Sequence, residues 1–224
     1  MKYVLSAALG LALSGLVATT SSASTVTLEY LGIADGARVS AQIDGVEVEP
    51  RGPFLAGSFD IRDHFTADTF LAWCVEVTQL IADKATYTVT NSFLDPQRDT
   101  FLSQLFTGFL GQTGTDVGAA AFQLAIWEIV EETATSNPGD LSLTTGIFTA
   151  ASSTAEVIST ANSWLAALGQ YDPSYRITYF VSPTSQDIIT VAPVPLPAGI
   201  LLLGAGVGAL VLVRRRGQSK TATA

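Results

Sequence analysis

Alternating apolar and polar positions in the first and last parts of the chain predict β-strands. Side chains of a strand point alternately to its two faces, so a strand with one buried face alternates in polarity. The predicted strands cover residues 25–30, 37–43, 46–48, 58–61, 69–77, 85–90, 174–181 and 188–191. Asp44 and Gly45 separate two of these runs, and this dipeptide predicts a tight hairpin.

Between the two groups of strands, apolar residues recur at helical spacing. Asp95 and Pro96 suit the cap and the first position of one helix. Thr115 or Asp116 begins a second helical run, and a third covers residues 152–168. Because strands flank three consecutive helices, we predict an α+β fold, in which a β-sandwich or barrel-like part carries an inserted three-helix subdomain.

Residues 1–23 have the pattern of a secretory signal peptide. Lys2 is followed by an apolar run rich in Ala and Leu, and Ser21, Ser22 and Ala23 provide a small-residue cleavage site. We therefore expect the protein to be exported.

Residues 193–224 form a second processing segment. A proline-rich stretch precedes the apolar run from Gly199 to Val213, and a cluster of arginines follows at once. An apolar helix with basic residues after it predicts a C-terminal transmembrane helix whose basic end stays in the cytoplasm. The stop-transfer residues are Arg214, Arg215 and Arg216. A simple membrane anchor is the plainest interpretation of this segment.

The end of the chain also resembles a known sorting signal. The motif residues are Val194, Pro195, Leu196, Pro197 and Ala198, and the apolar run and the arginine cluster follow in that order. This arrangement resembles the PEP-CTERM sorting signal in its VPLPA variant. The resemblance implies a Gram-negative producer and recognition by an exosortase-type processing enzyme. It further implies anchoring in the inner membrane, removal of the tail, and delivery to the cell surface or an extracellular biofilm matrix.

The segment between the two signals, residues 24–192, is long enough for one domain. All 20 acidic residues of the chain lie in it, so it is strongly acidic. Nucleic-acid binding is disfavoured, because it requires a basic surface. Lys84 is the only lysine of this segment, which limits the internal amines that could quench an electrophile.

The most informative residues are Cys74 and Gln123. Cys74 is the only cysteine of an exported chain, whereas exported proteins usually carry cysteines in disulfide pairs. A cysteine thiol and a glutamine carboxamide condense, with loss of ammonia, to an internal thioester that a surface amine attacks. Because Cys74 lies on a predicted strand and Gln123 on a predicted helix, such a bond would join the β part to the helices.

Aromatic neighbours favour this chemistry, since a thioester hydrolyses unless water is kept away. Trp73 precedes Cys74, and Trp127 follows Gln123 by one helical turn on the same face. We therefore expect Trp73 and Trp127 to shelter the bond. The simplest alternative is an inert buried thiol beside a core glutamine.

Other chemistry has weaker support in the sequence. Glu76, Glu128 and His64 are candidates for proton transfer, and nothing in the sequence selects among them. His64 is the only histidine, and the carboxylates lack the spacing of a calcium loop, so we expect no metal and no cofactor. A Cys–His protease of Cys74 and His64 lacks a recognisable oxyanion loop, and we therefore do not expect an enzyme.

Two segments carry a second resemblance. They are Trp73-Cys74-Val75-Glu76 and Ala121-Phe122-Gln123-Leu124-Ala125-Ile126-Trp127. Their order and spacing are similar to those of the two motifs of bacterial Cys–Gln thioester domains. The resemblance implies a β-sandwich-like part and a helical part with the bond at their junction, and covalent adhesion to amines.

The sequence leaves two functions open. The first is an exported surface or matrix adhesin whose Cys74–Gln123 thioester attaches to an amine-bearing surface or matrix target. The second is a non-reactive structural protein of the extracellular or biofilm matrix, sorted by an exosortase.

Overall fold

The computed structural model describes residues 24–48, 53–132, 137–150 and 153–193. In chain order the elements are β1 Ser24–Val39, β2 Gln42–Ile43, β3 Val46–Glu47, β4 Phe54–Asp63, β5 Thr69–Cys74, β6 Lys84–Thr90, α1 Pro96–Phe109, α2 Asp116–Glu131, β7 Phe148–Thr149, α3 Ala155–Ala167, β8 Tyr175–Val181 and β9 Ile188–Pro193. None of the helices in these ranges is long and apolar enough to cross a membrane. The predicted signal peptide, the VPLPA motif, the apolar run and the arginine cluster lie outside the described residues.

The α+β class is confirmed, with a mostly antiparallel sheet and three helices between the strand groups. Six strands pair in the order β1-β4-β5-β9-β8-β6, and pairing of β1 with β6 closes the sheet into a barrel. A second small sheet has the order β3-β2-β7. Closure gives every barrel strand a neighbour on both sides, so no barrel edge is left unpaired.

One strand, β1, covers all of the predicted strand 25–30 and the start of the predicted strand 37–43. β1 continues over 16 residues because two register shifts against β4 interrupt its alternation without ending the pairing. The predicted hairpin is confirmed: Ile43 pairs with Val46, and Asp44 and Gly45 both have positive φ, at 50° and 75°. These angles suit the tight turn that joins twisted antiparallel strands.

The three helices begin close to their predicted residues. Asp95 caps α1 by accepting hydrogen bonds from the backbone N–H groups of Gln97 and Arg98. Thr115 caps α2 in the same way through Gly118. α2 packs between α1 and α3 on one side and β1, β4 and β5 on the other, which explains why most of its residues are buried. It is therefore the central element that joins the helices to the barrel.

A close approach of β1 and β4 depends on a pair of glycines. Gly36 and Gly57 lie opposite each other in the two strands. A Cβ added at Gly57 would lie 2.0 Å from the carbonyl oxygen of Asp35, so a side chain there forces the strands apart.

We therefore expect Gly57→Ala to lower the free energy of unfolding by about 1–3 kcal/mol, the usual cost of overpacking. Gly111→Ala is the matched control, because a Cβ at Gly111 would meet no atom within 4 Å. Denaturant unfolding of both variants measures the difference. Equal midpoints for the two variants would contradict the close approach.

Candidate functional site

The structure brings the two predicted reactive residues together in the interior. Cys74 is the last residue of β5 and pairs with Ile188 of β9, and Gln123 lies in the middle of α2. Cys74 is 3% exposed and Gln123 is fully buried. The predicted contact between a strand of the β part and a helix is therefore present.

Two hydrogen bonds join Gln123 to the backbone of Cys74. The Cys74 N–H donates to Gln123 Oε1 at 2.9 Å, and Gln123 Nε2 donates to the Cys74 carbonyl oxygen at 2.8 Å. Both ends of the buried carboxamide thus have a partner, as a buried amide requires. The arrangement fixes the side chain of Gln123 beside the residue that carries the thiol.

Burial raises the pKa of the Cys74 thiol well above its ordinary value. The phenols of Tyr30 and Tyr87 also have raised pKa values, mainly through burial, and the charge of a Cys74 thiolate would raise both further. The interior therefore favours the neutral thiol, and a reaction of this sulfur must move its proton.

The two tryptophans predicted as shelter have different surroundings. Trp127 lines the same cavity as Cys74 and Gln123. Trp73 packs against Phe106 and Phe122, with ring centroids 5.2 and 5.4 Å away, and is not among the residues that line this cavity. Successive residues of a strand point to opposite faces, which explains why Cys74 lines the cavity and Trp73 does not.

The candidates for proton transfer make their hydrogen bonds elsewhere. Glu76 accepts from the hydroxyl of Thr78 at 2.8 Å, and His64 Nδ1 lies 2.6 Å from Glu29 Oε1. His64 follows β4 in the turn that leads to the start of β5, whereas Cys74 lies at the other end of β5. The structure therefore does not bring His64 to Cys74, as a Cys–His protease would need.

Glu128, the third candidate for proton transfer, lies at a different buried site. Its burial was not predicted from the sequence. It is fully buried on α2, where its Oε1 accepts from the Ser142 N–H at 2.7 Å. Its Oε2 has no hydrogen-bond partner among the described residues. Burial raises the pKa of Glu128 to about 7, and the nearby charge of Glu132 adds to the rise. A carboxyl within the apolar run Ile126 to Ile129 was the signal available in the sequence.

Potential metal ligands were compared by their positions in the part of the chain that the structure describes. Within the described ranges, no group of three or more His, Cys, Asp or Glu side chains is placed to hold a metal ion.

Comparison of the chain with models of known protein families, with curated proteins and with solved structures finds no match. The geometry of the site and the sequence motifs therefore carry what is inferred about function.

The raised pKa of Glu128 predicts a pH-dependent stability. The folded protein holds the proton more tightly than the unfolded chain, whose carboxyl has a pKa near 4.5. The stabilising contribution of the protonated form is complete below this value and is lost as pH rises towards 7. We therefore expect Glu128→Gln to become more stable than the wild type with rising pH, by up to about 3 kcal/mol.

Denaturant unfolding over a series of pH values measures this difference. Glu47→Gln, at an exposed position of β3, is the control for the loss of one negative charge. A difference between Glu128→Gln and the wild type that does not change with pH would contradict the burial of an ionisable Glu128.

Proposed function

We propose that this protein is an exported surface or matrix adhesin that attaches covalently to amines through a thioester between Cys74 Sγ and Gln123 Cδ. The observation that carries the proposal is the pair of hydrogen bonds between the Gln123 carboxamide and the Cys74 backbone, at 2.9 and 2.8 Å. These bonds hold the carboxamide carbon next to the residue that carries the only thiol of the chain.

The backbone N–H of Cys74 is placed to assist the formation of this bond. The Cys74 sulfur attacks Gln123 Cδ, the carbon–nitrogen bond breaks, and the thiol proton leaves with Nε2 as ammonia. Negative charge develops on Oε1 in the tetrahedral intermediate, where the Cys74 N–H already donates. A fixed backbone donor at this position stabilises the charge without a rearrangement of side chains.

Burial supports the persistence of such a bond. Gln123 is fully buried, Cys74 is almost so, and the 2% exposed indole of Trp127 closes one wall of the cavity beside them. Exclusion of water protects a reactive acyl group against hydrolysis. The thioester would thus survive until an amine reaches it through the cavity.

A second function, that of a passive matrix protein, is favoured by the same hydrogen bonds. The carboxamide of Gln123 is satisfied at both ends without any reaction. As a non-covalent contact it fastens α2 to β5, and the thiol then serves as a small buried side chain. This candidate shares the proposed export and sorting and differs only in the absence of the bond.

The intact mass of the purified domain separates the two functions. With the thioester, we expect a mass lower than that of the sequence by one ammonia. Methylamine should then add once, forming an amide at Gln123 and releasing the thiol of Cys74, because acyl transfer frees the sulfur. High-resolution mass spectrometry before and after methylamine measures both changes.

Two variants serve as controls for the mass measurement. Cys74→Ser keeps both hydrogen bonds, which use backbone groups of residue 74, and removes only the sulfur. Gln123→Glu keeps the shape and the acceptor but lacks the leaving ammonia. Both variants should have the full mass of their sequences.

Alkylation of the thiol is a second measurement. The protein must be unfolded first, because burial alone keeps the thiol unreactive in the folded protein. A full-mass wild type whose thiol is completely alkylated would contradict the thioester and favour the passive matrix protein.

The route to the surface is a separate part of the proposal. The signal peptide directs export, the C-terminal helix anchors the chain in the inner membrane, and an exosortase-type enzyme then removes the tail. This part is supported by the order of the VPLPA motif, the apolar run and the arginine cluster in the sequence.

We expect the mature protein to begin near Ser24 and to lack Arg214, Arg215 and Arg216, because both processing sites flank the domain. Peptide mapping of the extracellular fraction measures both ends. Pro197→Ala is the matched variant, since it alters the motif and should leave the tail attached. Recovery of wild-type peptides that end at Ala224 outside the cell would contradict removal of the tail.

A further inference from the structure

A cavity of about 220 Å³ leads from the surface to the buried pair. Cys74, Gln123 and Trp127 line it and are at most 3% exposed, so they form its inner end. Leu55 and Leu80 line it as well and are 47% and 73% exposed, so they form its rim. An approaching molecule therefore passes two exposed leucines before it reaches the two reactive residues.

The wall of this cavity carries no formal charge. Among the described residues that line it, none is an Asp, Glu, Lys, Arg or His. Its polar side chains beyond the pair are Tyr30, Gln79, Gln186 and Trp127, the last through its indole N–H, and the other lining residues are apolar. An ammonium group in such a cavity would lose its hydration without gaining a carboxylate partner, which is costly.

Three hydrogen bonds to backbone groups of residues 76, 80 and 82 hold the rim in place. The carbonyl oxygen of Leu80 accepts from the Gln186 N–H at 3.1 Å, and that of Glu76 accepts from Gln186 Nε2 at 2.7 Å. The Ala82 N–H donates to the Ser185 hydroxyl at 3.0 Å. The segment between β5 and β6 is thus fastened to the loop between β8 and β9, and the cavity is preformed.

We propose that this cavity selects the attacking nucleophile, admitting a neutral primary amine on an unbranched apolar stem such as the methylene stem of a lysine side chain. The inference rests on the proposed thioester and adds the class of amine that reaches it. A dry cavity of about 150 Å³ already holds a benzene molecule, so a stem of several carbons fits here. The hydroxyls of an amino sugar would lose their hydrogen bonds to water, which disfavours that alternative.

The acyl transfer needs no carboxylate at the site. The amine nitrogen attacks Gln123 Cδ, the carbon–sulfur bond breaks, and its electron pair goes to Cys74 Sγ. The proton released by the nitrogen ends on the sulfur, so that an amide and a thiol are the products. Because burial raises the pKa of this thiol, the protonated sulfur is the form that the interior favours.

Competition among four amines tests the selection. Methylamine, n-butylamine, putrescine and glucosamine are supplied at equal concentrations of the neutral amine, and the rate of each adduct is read by intact mass. We expect n-butylamine to add at least about tenfold faster than methylamine, because its extra methylenes leave water for an apolar wall. Putrescine, whose other amine is a charged ammonium, and glucosamine, with its hydroxyls, should both add more slowly than n-butylamine.

Variants at the rim test the route of entry. Leu80→Glu places a carboxylate at the mouth and should raise the rate with putrescine relative to n-butylamine. Leu71→Glu is the matched control, because Leu71 is 40% exposed on β5 and does not line the cavity. The ratio of the two rates should stay at the wild-type value in this control.

The outcomes separate the selection from the bond itself. If methylamine adds but glucosamine reacts as fast as n-butylamine, the selection is wrong and the thioester stands. If Leu80→Glu leaves the ratio of the putrescine rate to the n-butylamine rate unchanged, the amine does not enter past this rim. A wild-type protein of full mass that takes up none of the four amines would overturn the thioester and the selection together.

Discussion

The contact on which the rest of the structure depends is the pair of hydrogen bonds between Gln123 and the backbone of Cys74. A buried carboxamide without partners costs about 1–3 kcal/mol for each unsatisfied group, so α2 has one favoured rotation and one favoured position along β5. Since α2 lies between the barrel and the other two helices, this position also determines where the helical layer rests on the barrel.

The same contact shapes the cavity. With Gln123 fixed, Trp127 lies one turn further along α2, and both line the wall beside Cys74. Leu55 of β4 and Leu80 of the β5–β6 connection form the rim and lie outside α2. The rim residues and the hydrogen-bonded pair therefore belong to different segments of the chain, and neither leucine takes part in the two hydrogen bonds.

Helix caps and the hairpin turn could be predicted from the sequence, because each depends on residues that are close together in the chain. The caps at Asp95 and Thr115 and the turn at Asp44 and Gly45 follow from short-range hydrogen bonding and backbone conformation. The positions of Cys74 and Gln123 on a strand and a facing helix followed from periodicity and from the motifs that resemble a known family.

Features that depend on long-range packing were not predictable in this way. The register shifts that keep β1 continuous, the short strand β7 and the rim of the cavity arise from pairing between distant segments. The surroundings of Trp73 also required the tertiary structure, because the sequence shows its neighbour but not the face of the strand on which it lies. Glu128 had a local signal, yet its burial against Ser142 comes from the fold of the 137–150 segment.

The pairing of β9 has a mechanical consequence for a protein held by its C-terminal end. Tension applied beyond Pro193 enters β9 at its far end, where Pro193 pairs with Tyr175 of β8. The strand would peel from β8 residue by residue, and Ile188, which pairs with Cys74 and with Phe180, would be reached last. In this order of opening, the contact between β9 and Cys74 is the last of the ladder to be lost.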